Sequence, residues 1–412
     1  GRAWRGLGAT LRTQAIATVG LAPPTLVFFQ QVSLIGLVAN LMAIPLVTLV
    51  VLPLALLGVA VPPLWSLAAM VVTPLHAVLS ALASVPGGVW SAALAPVWAQ
   101  WAAGVGATLA VLPLPWRLRT VALVLCVPML LPVPDTPPPG GFDLIAPDVG
   151  QGTAALVRTR AHLLIFDTGP PYGPHGDAGE RVLLPLLQRR GETRIDRLVL
   201  SHRDADHVGG AATVMGALPV AVLSSSLEPG HALLRLAPVH SRCEAGESWE
   251  WDGVRFDMLH PPAAAYERRS KPNARSCVLR VSAPGRSVLL TADIERPQET
   301  ALLADPGALR SDWLFAPHHG SKTSSSAAFL DAVRPRVAVV QAGYRNRYRH
   351  PAADVLARYR SRGIAVVESA ACGAFTLRWS DPGTGSCQRD VARRYWHHDA
   401  VRGRSVRPAE QE

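Results

Sequence analysis

Four side chains able to hold a divalent metal ion, His202, Asp204, Asp206 and His207, fall within six residues of the segment Ser201-His-Arg-Asp-Ala-Asp-His-Val-Gly-Gly210. Side chains two apart on an extended segment point the same way, so His202 and Asp204 are placed to share one ion while Asp206 and His207 turn toward a second. Two ions about 3.5–4 Å apart lower the pKa of a bridging water and clamp the attacking and leaving oxygens of an in-line displacement, which explains carboxylate and imidazole together. Asp206 is also placed to take a proton from that water. A solvated turn with a helix-capping Asp is the bland alternative, and the density of ligand types at this spacing argues against it.

Something rigid must carry these residues. The apolar run Ile195-Asp-Arg-Leu-Val-Leu200 reads as a buried strand leading straight into the motif. The same design recurs twice: Ser287-Val-Leu-Leu-Thr291 ends at Asp293, and Trp313-Leu-Phe-Ala-Pro317 ends at His318-His319-Gly320-Ser321. Each places a ligand type at a sheet edge, where loops build sites on a scaffold. Strands are expected at 153–158, 162–166, 195–200, 254–259, 277–281, 286–291, 312–316, 336–341 and 364–367. Helices are expected near 178–190, 206–216, 296–304, 325–333 and 351–361. That order predicts sheets sandwiched between helices.

The N-terminal third is a different material. Residues 1–134 contain five charged side chains, Arg2, Arg5, Arg12, Arg117 and Arg119, and no Asp or Glu. A hydrocarbon core about 30 Å thick needs about 20 apolar residues per helix. Five stretches are candidates: Leu11–Phe29, Ile35–Val61, Leu64–Val85, Val89–Leu114 and Thr120–Val133. Pro45, Pro53, Pro74 and Pro96 free backbone carbonyls that a bilayer tolerates only in a bundle or beside a water-lined cavity. Short basic loops stay cytoplasmic, so with five spans both Arg clusters lie inside and the chain after Val133 lies outside. Residues 135–141 form a Pro/Gly linker, 142–381 the second domain, and 382–412 a basic, disordered tail. The chain begins at Gly1 without Met, as expected of a fragment or a processed form.

The net charge of +10 divides about equally between the two parts, so it does not by itself demand nucleic acid. Five cysteines, Cys126, Cys243, Cys277, Cys372 and Cys387, sit far apart without a CxxC pair. No disulfide framework or zinc ribbon is expected, and Cys277 and Cys372 read as core residues. Gly320-Ser-Lys-Thr-Ser-Ser-Ser326 presents hydroxyls and Lys322 to a phosphate, or else caps the following helix. Tyr344-Arg-Asn-Arg-Tyr-Arg-His350 interleaves aromatics with Arg345, Arg347 and Arg349, which suits stacking on single-stranded bases and phosphate contact.

The motif His-x-Asp-x-Asp-His, with Phe166-Asp167-Thr-Gly169, Leu-Leu-Thr-Ala-Asp293 and Pro-His-His-Gly-Ser321, resembles the metallo-β-lactamase superfamily. More narrowly, Asp148-Val-Gly-Gln-Gly152, Asn273-Ala-Arg-Ser276, Asn346-Arg-Tyr-Arg-His-Pro351 and the stretch Val32–Pro45 resemble ComEC-type competence proteins, a family of DNA-uptake channels. The resemblance implies a polytopic α-helical membrane region followed by an αββα metallo-β-lactamase domain. It implies that His202 and Asp204 bind one metal, Asp206 and His207 the other, that Asp293 bridges, and that His318 completes the second ion with His319 as its competitor. Asp167 would orient ligands from behind, Asp148 would shape the site from below, and His350 would be a phosphate or proton contact beside the catalytic Asp206 and His207. Asp204 stands where many members have His, and Asn273 and Ser276 occupy a region where many have a further His. This oxygen-rich set favours Mn²⁺ or Mg²⁺ relative to Zn²⁺.

The leading expectation is therefore an inner-membrane channel passing single-stranded DNA, joined to an extracytoplasmic nuclease with two divalent ions, Mn²⁺ or Zn²⁺ or Mg²⁺. Its partners would be DNA, membrane lipid and other DNA-uptake components. Two readings of other classes compete: a membrane-anchored hydrolase of a small molecule, and a DNA-binding module whose metal site has decayed.

Overall fold

A computed structural model of the chain describes residues 2–174, 176–267, 270–381 and 383–397, with side chains from Leu11 onward. The chain divides into two compact units, one of residues up to Pro134 with Gln188–Glu192, the other of Asp135–Leu187 and Thr193 onward.

The first unit is helical. Among the described residues, two helices are long and apolar enough to cross a membrane, Gly36–Leu57 and Pro63–Ala83. The first of these passes through a π-turn at Val47–Val51, where Leu52 donates to the Val47 carbonyl five residues back, just before Pro53, which has no N–H to donate. Gly58 follows it because a Cβ there would lie 2.2 Å from the Trp65 ring, which folds back to donate from Nε1 to the Ala55 carbonyl at 3.0 Å. At the other end two of the five apolar stretches take different bounds. Val89–Leu114 and Thr120–Val133 become the 15-residue helices Val97–Val111 and Trp116–Leu130, which begin after Pro96 and Pro115. At 1.5 Å per residue each is about 22 Å long, short of a hydrocarbon core. They pack through small residues: Ala99, Ala103 and Ala107 are buried, and a Cβ on Gly106 would meet the Ala122 carbonyl at 2.7 Å. Helix Arg2–Phe29 precedes them and carries Pro23 and Pro24.

The second unit is a four-layer sandwich. One sheet has eight strands, in the order Ser386–Cys387, Phe375–Leu377, Asp143–Ala146, Ala155–Arg158, Leu163–Phe166, Ile195–Leu200, Val220–Ser225 and His240–Arg242. The other has seven, in the order Ala365–Glu368, Val337–Val340, Trp313–Phe315, Arg286–Leu290, Val278–Ala283, Val254–His260 and Ser248–Trp251. Strand side chains alternate between faces, and here both faces are apolar. Leu164, Phe166 and Val199 meet Val288, Leu290, Trp313 and Phe315 between the sheets. Leu163, Ile165, Leu198 and Leu200 point outward to the helical segments 179–190 and 211–217, while Leu289, Leu314 and Val340 pack under 327–333 and 353–360.

Two sequence expectations change here. Cys243 and Cys277 are joined in a disulfide, as are Cys372 and Cys387, so the distant cysteines are paired by the fold and not left as core thiols. The start of the supposed tail is structured: Ser386–Cys387 extends the first sheet and Gln388–Val391 forms a helical turn, held by the second disulfide. Residues 398–412 lie outside the described residues.

Candidate metal centre

Strands running the same way deliver their C-terminal ends to one edge of the sandwich. Leu163–Phe166 and Ile195–Leu200 are parallel in one sheet, and Arg286–Leu290, Trp313–Phe315 and Val337–Val340 in the other. The residues that follow them are Asp167, His202, Asp293, His318-His319 and Gln341. The ligand atoms of Asp206, His207, Asp293 and His319 all lie within 4.8 Å of one another. Asp293 Oδ1 is 3.1 Å from His207 Nε2 and 3.5 Å from His319 Nε2, and Asp206 Oδ2 is 3.3 Å from His319 Nε2.

Each imidazole is turned by a partner on its other nitrogen. Asp167, buried and in the left-handed region at φ 56°, accepts from His207 Nδ1 at 2.7 Å and from the Ser201 N–H and hydroxyl, each at 2.7 Å. Because the Ser201 proton goes to Asp167, the hydroxyl oxygen accepts from His202 Nδ1 at 3.0 Å. The Gln341 carbonyl accepts from His319 Nδ1 at 2.9 Å. All three Nε2 atoms therefore face the centre, and His202 Nε2, His207 Nε2, His319 Nε2 and Asp293 Oδ1 are buried without a hydrogen bond. The 3.1 Å approach of His207 to Asp293 lacks hydrogen-bond direction. Buried polar atoms in folded proteins are as a rule paired, so a group of nitrogen and oxygen orphans aimed at one point fits a divalent cation.

The electrostatics agree. Burial raises the Asp206 carboxyl, but His319 at 3.3 Å and the charge of His207 outweigh it and hold the group down at about 2. Burial likewise disfavours charge on Asp293, yet His207 and His319 hold it well below the usual carboxylate range. In return, burial is overcome at His207 by Asp293 and Asp167, and at His319 by Asp293 and Asp206, so both imidazoles are raised. These are protons that a metal ion displaces.

The histidine pair is assigned differently from the sequence reading: His319, and not His318, joins Asp206, His207 and Asp293. Both residues are left-handed, at φ 50° and 54°, and this turns adjacent side chains to different sides. His318 stands at the rim, its Nε2 3.6 Å from Asp293 Oδ2 and its Nδ1 3.2 Å from Glu295. Asp204 is also peripheral, two-fifths exposed, with Oδ2 3.5 Å from His202 Nε2. His202 reaches the group through His207, ring centroids 4.1 Å apart. Asp148 accepts from the Gly150 N–H and pairs with Arg389 at 3.3 Å.

His350 lies beside His318, ring centroids 6.0 Å apart, and stacks on Tyr348. Its Nδ1 is buried without a partner, and burial, with His319 and His318 nearby, pushes the imidazole down to about 4. Asn346 shapes this loop by accepting from the His350 N–H and donating to the carbonyls of Gly343 and His350. Arg345, Arg347 and Arg349 are exposed, with Arg345 over Tyr344 and Arg347 over Tyr348. Lys322 is exposed, but the hydroxyls around it are not offered to solvent. Ser324 donates to the Pro317 carbonyl, Ser325 bonds Tyr359, and Ser326 caps the helix Ala327–Val333. The sequence reading passed over Glu295 and Gln341. Gln341 follows a strand just as the ligands do, and its amide also ties the Pro147 and Ala154 carbonyls together at 2.8 Å each.

This sandwich and its donor cluster define the class: residues 147–344 match the metallo-beta-lactamase superfamily model. Residues 1–117 match the competence protein model. The chain is 35% identical over 372 residues to competence protein ComA of Neisseria gonorrhoeae, covering 89% of this chain and 51% of that one. It is 27% identical over 419 residues to ComE operon protein 3 of Bacillus subtilis, covering 91% and 52%. Among solved structures, the metallo-beta-lactamase fold protein YhfI of Bacillus subtilis covers 57% of this chain and 99% of its own at a TM-score of 0.39 and 11% identity. With a competence region joined to a metallo-beta-lactamase domain, the chain belongs to the ComA/ComEC-type competence proteins. It spans about half the length of these curated relatives.

Proposed function

We propose that the helical unit forms part of a membrane channel that carries transforming DNA inward as a single strand, and that the second unit is an extracytoplasmic, metal-dependent nuclease acting on that DNA. The observation that carries this reading is the inward-aimed group Asp206, His207, Asp293 and His319 in a chain of the competence family. Two disulfides in the same unit support an oxidising compartment, and hence the outer side of the membrane.

In this reading Asp206, His207, Asp293 and His319 hold one divalent ion, and His202 with Asp204 contribute to a second. Bound Mn²⁺, Zn²⁺ or Mg²⁺ supplies Lewis acidity toward a phosphodiester. Asp206, one-third exposed and ionised, is placed to accept a proton from an approaching water. Asp167 and Gln341 fix the imidazoles that bind. His350 contacts phosphate from the rim, Arg345, Arg347, Arg349 and Lys322 follow the backbone, and Tyr344 and Tyr348 offer rings to unpaired bases. Membrane lipid and other uptake components would surround the whole.

The test is to incubate the full chain with single- and double-stranded DNA and Mn²⁺, Mg²⁺ or Zn²⁺. Metal-dependent cleavage that drops about 100-fold or more in Asp206→Ala is expected, the scale of losing a group that acts on the reacting water. Unchanged cleavage in that variant sinks the assignment, and hydrolysis of small esters but not DNA sinks the nuclease. A transformation assay with the same variants tests the channel.

A further inference from the structure

The Cys243–Cys277 disulfide sits beneath the His202 side of the centre. The Ser201 carbonyl, one residue before His202, accepts from the Cys277 N–H at 3.0 Å and from the Ser226 hydroxyl at 2.6 Å. Cys243 in turn donates its N–H to the carbonyl of Ser225, next to Ser226, at 3.0 Å. The disulfide thus ties the segment of Cys277, which donates to Ser201, to Cys243, which is hydrogen-bonded to the neighbour of the other donor, Ser226. Ser276, adjacent to Cys277, places its hydroxyl 3.4 Å from His202 Nδ1, and its carbonyl accepts from His260 Nδ1 at 2.7 Å. Both cysteines are fully buried. The second disulfide joins Cys387, in the strand at the opposite edge of the first sheet from His240–Arg242, to Cys372 in the helical turn Ser369–Cys372, and makes none of these contacts.

We propose that the Cys243–Cys277 disulfide is the positioning element of the His202 half of the centre, so that the site binds metal fully only in the oxidised chain. The inference rests on reading the cluster as a metal centre. Of the three inward imidazoles His202 is the one whose Nδ1 meets neither a carboxylate nor a carbonyl: its partners are hydroxyls, at 3.0 and 3.4 Å, where His207 has a carboxylate and His319 a carbonyl. Its place therefore depends on the backbone of Ser201, and that backbone depends on the linked segments. Formation of the bond oxidises two thiols: Cys243 and Cys277 form one S–S bond, and a protein disulfide donor accepts their two protons and two electrons and leaves as two thiols. A chain still reduced in the cytoplasm would carry an incomplete centre, and a nuclease would be completed only where disulfides form.

The test uses the full chain and Mn²⁺ alone, with free ion followed by electron paramagnetic resonance and fold by circular dichroism. Cys243→Ala/Cys277→Ala is expected to keep the native spectrum and bind Mn²⁺ ~10-fold or more weakly, the scale of losing a ligand's support. Cys372→Ala/Cys387→Ala should bind like the parent. Parental affinity in the folded first variant overturns the proposal, as does equal weakening in both. Should the first variant not fold, the oxidised chain is reduced stepwise with dithiothreitol: Mn²⁺ release before loss of the native spectrum supports the proposal, and release together with it overturns it. An oxidised chain that takes up no Mn²⁺ overturns the metal-centre reading and the proposal with it.

Discussion

Asp167 contributes to the centre without facing it. Its carboxylate takes three hydrogen bonds, from His207 Nδ1 and from both donors of Ser201, and so fixes two of the three imidazoles. Asp167→Asn replaces an acceptor with an amide that cannot accept all three, and Mn²⁺ affinity should fall ~10–100-fold with the fold retained, as calorimetry would register. The raised His207 and His319 give a pH signature. An unfolded His titrates at about 6.5, so the stabilisation from their buried protons is complete below that pH and is lost as pH rises through the folded values. The melting temperature of the metal-free chain should fall as pH rises above about 6.5, and Mn²⁺ affinity should rise with proton release; a melting temperature climbing with pH would contradict this. Asp206 acts at the other end: its contribution is complete above about 3.9 and lost only on acidifying through about 2. Asp206, His207 and Asp293 were legible as ligand types in the sequence. The choice of His319 over His318 was not, because it depends on two successive left-handed residues that no spacing rule anticipates.

At the scale of elements, the site is a set of strand ends and the glycines that let them close. Gly152, at the end of Asp148-Val-Gly-Gln-Gly, lies so near the metal loop that a Cβ would be 2.3 Å from the Asp206 carbonyl. That same carbonyl accepts from the Thr153 N–H at 3.1 Å. Gly152→Ala must push the backbone of Asp206 aside, so it should destabilise the domain by about 1–3 kcal/mol and weaken Mn²⁺ binding. Denaturant melts and metal titration of one preparation would show both, and an unchanged pair of values would refute the contact. The expected strands 195–200, 254–259 and 286–291 coincide within a residue with observed ones, because the apolar runs Leu198–Leu200 and Val288–Leu290 and the alternation of buried positions along Val254–His260 are strand signals. Strands His240–Arg242 and Ser248–Trp251 escaped notice. They are short edge strands with only alternate positions half-buried, so their composition resembles that of a loop.

Across the whole chain, the two units differ in composition. The helices Gly36–Leu57 and Pro63–Ala83 leave Leu49, Met70 and Val72 exposed, as suits side chains facing lipid. Val72→Arg should cost roughly 2.5–3.5 kcal/mol of insertion at mid-span. A glycosylation-mapping assay in microsomes would read this as reduced insertion of that segment, and full insertion would argue against its spanning the membrane. Composition alone separated an uncharged N-terminal third from a mixed-charge remainder, since a hydrocarbon environment and an aqueous one exclude different residues. Sequence also determined the family motifs and the strand-then-ligand design, because these are local properties of type and spacing. Tertiary structure decided what depends on residues far apart in the chain. It joined Cys243 to Cys277 and Cys372 to Cys387, shortened the apolar stretch Val89–Leu114 to the helix Val97–Val111, and brought His319 to Asp206 across two sheets. The physical reason is that a pattern along a chain records what each residue's surroundings must be, whereas a metal centre and a disulfide require particular partners that only packing selects.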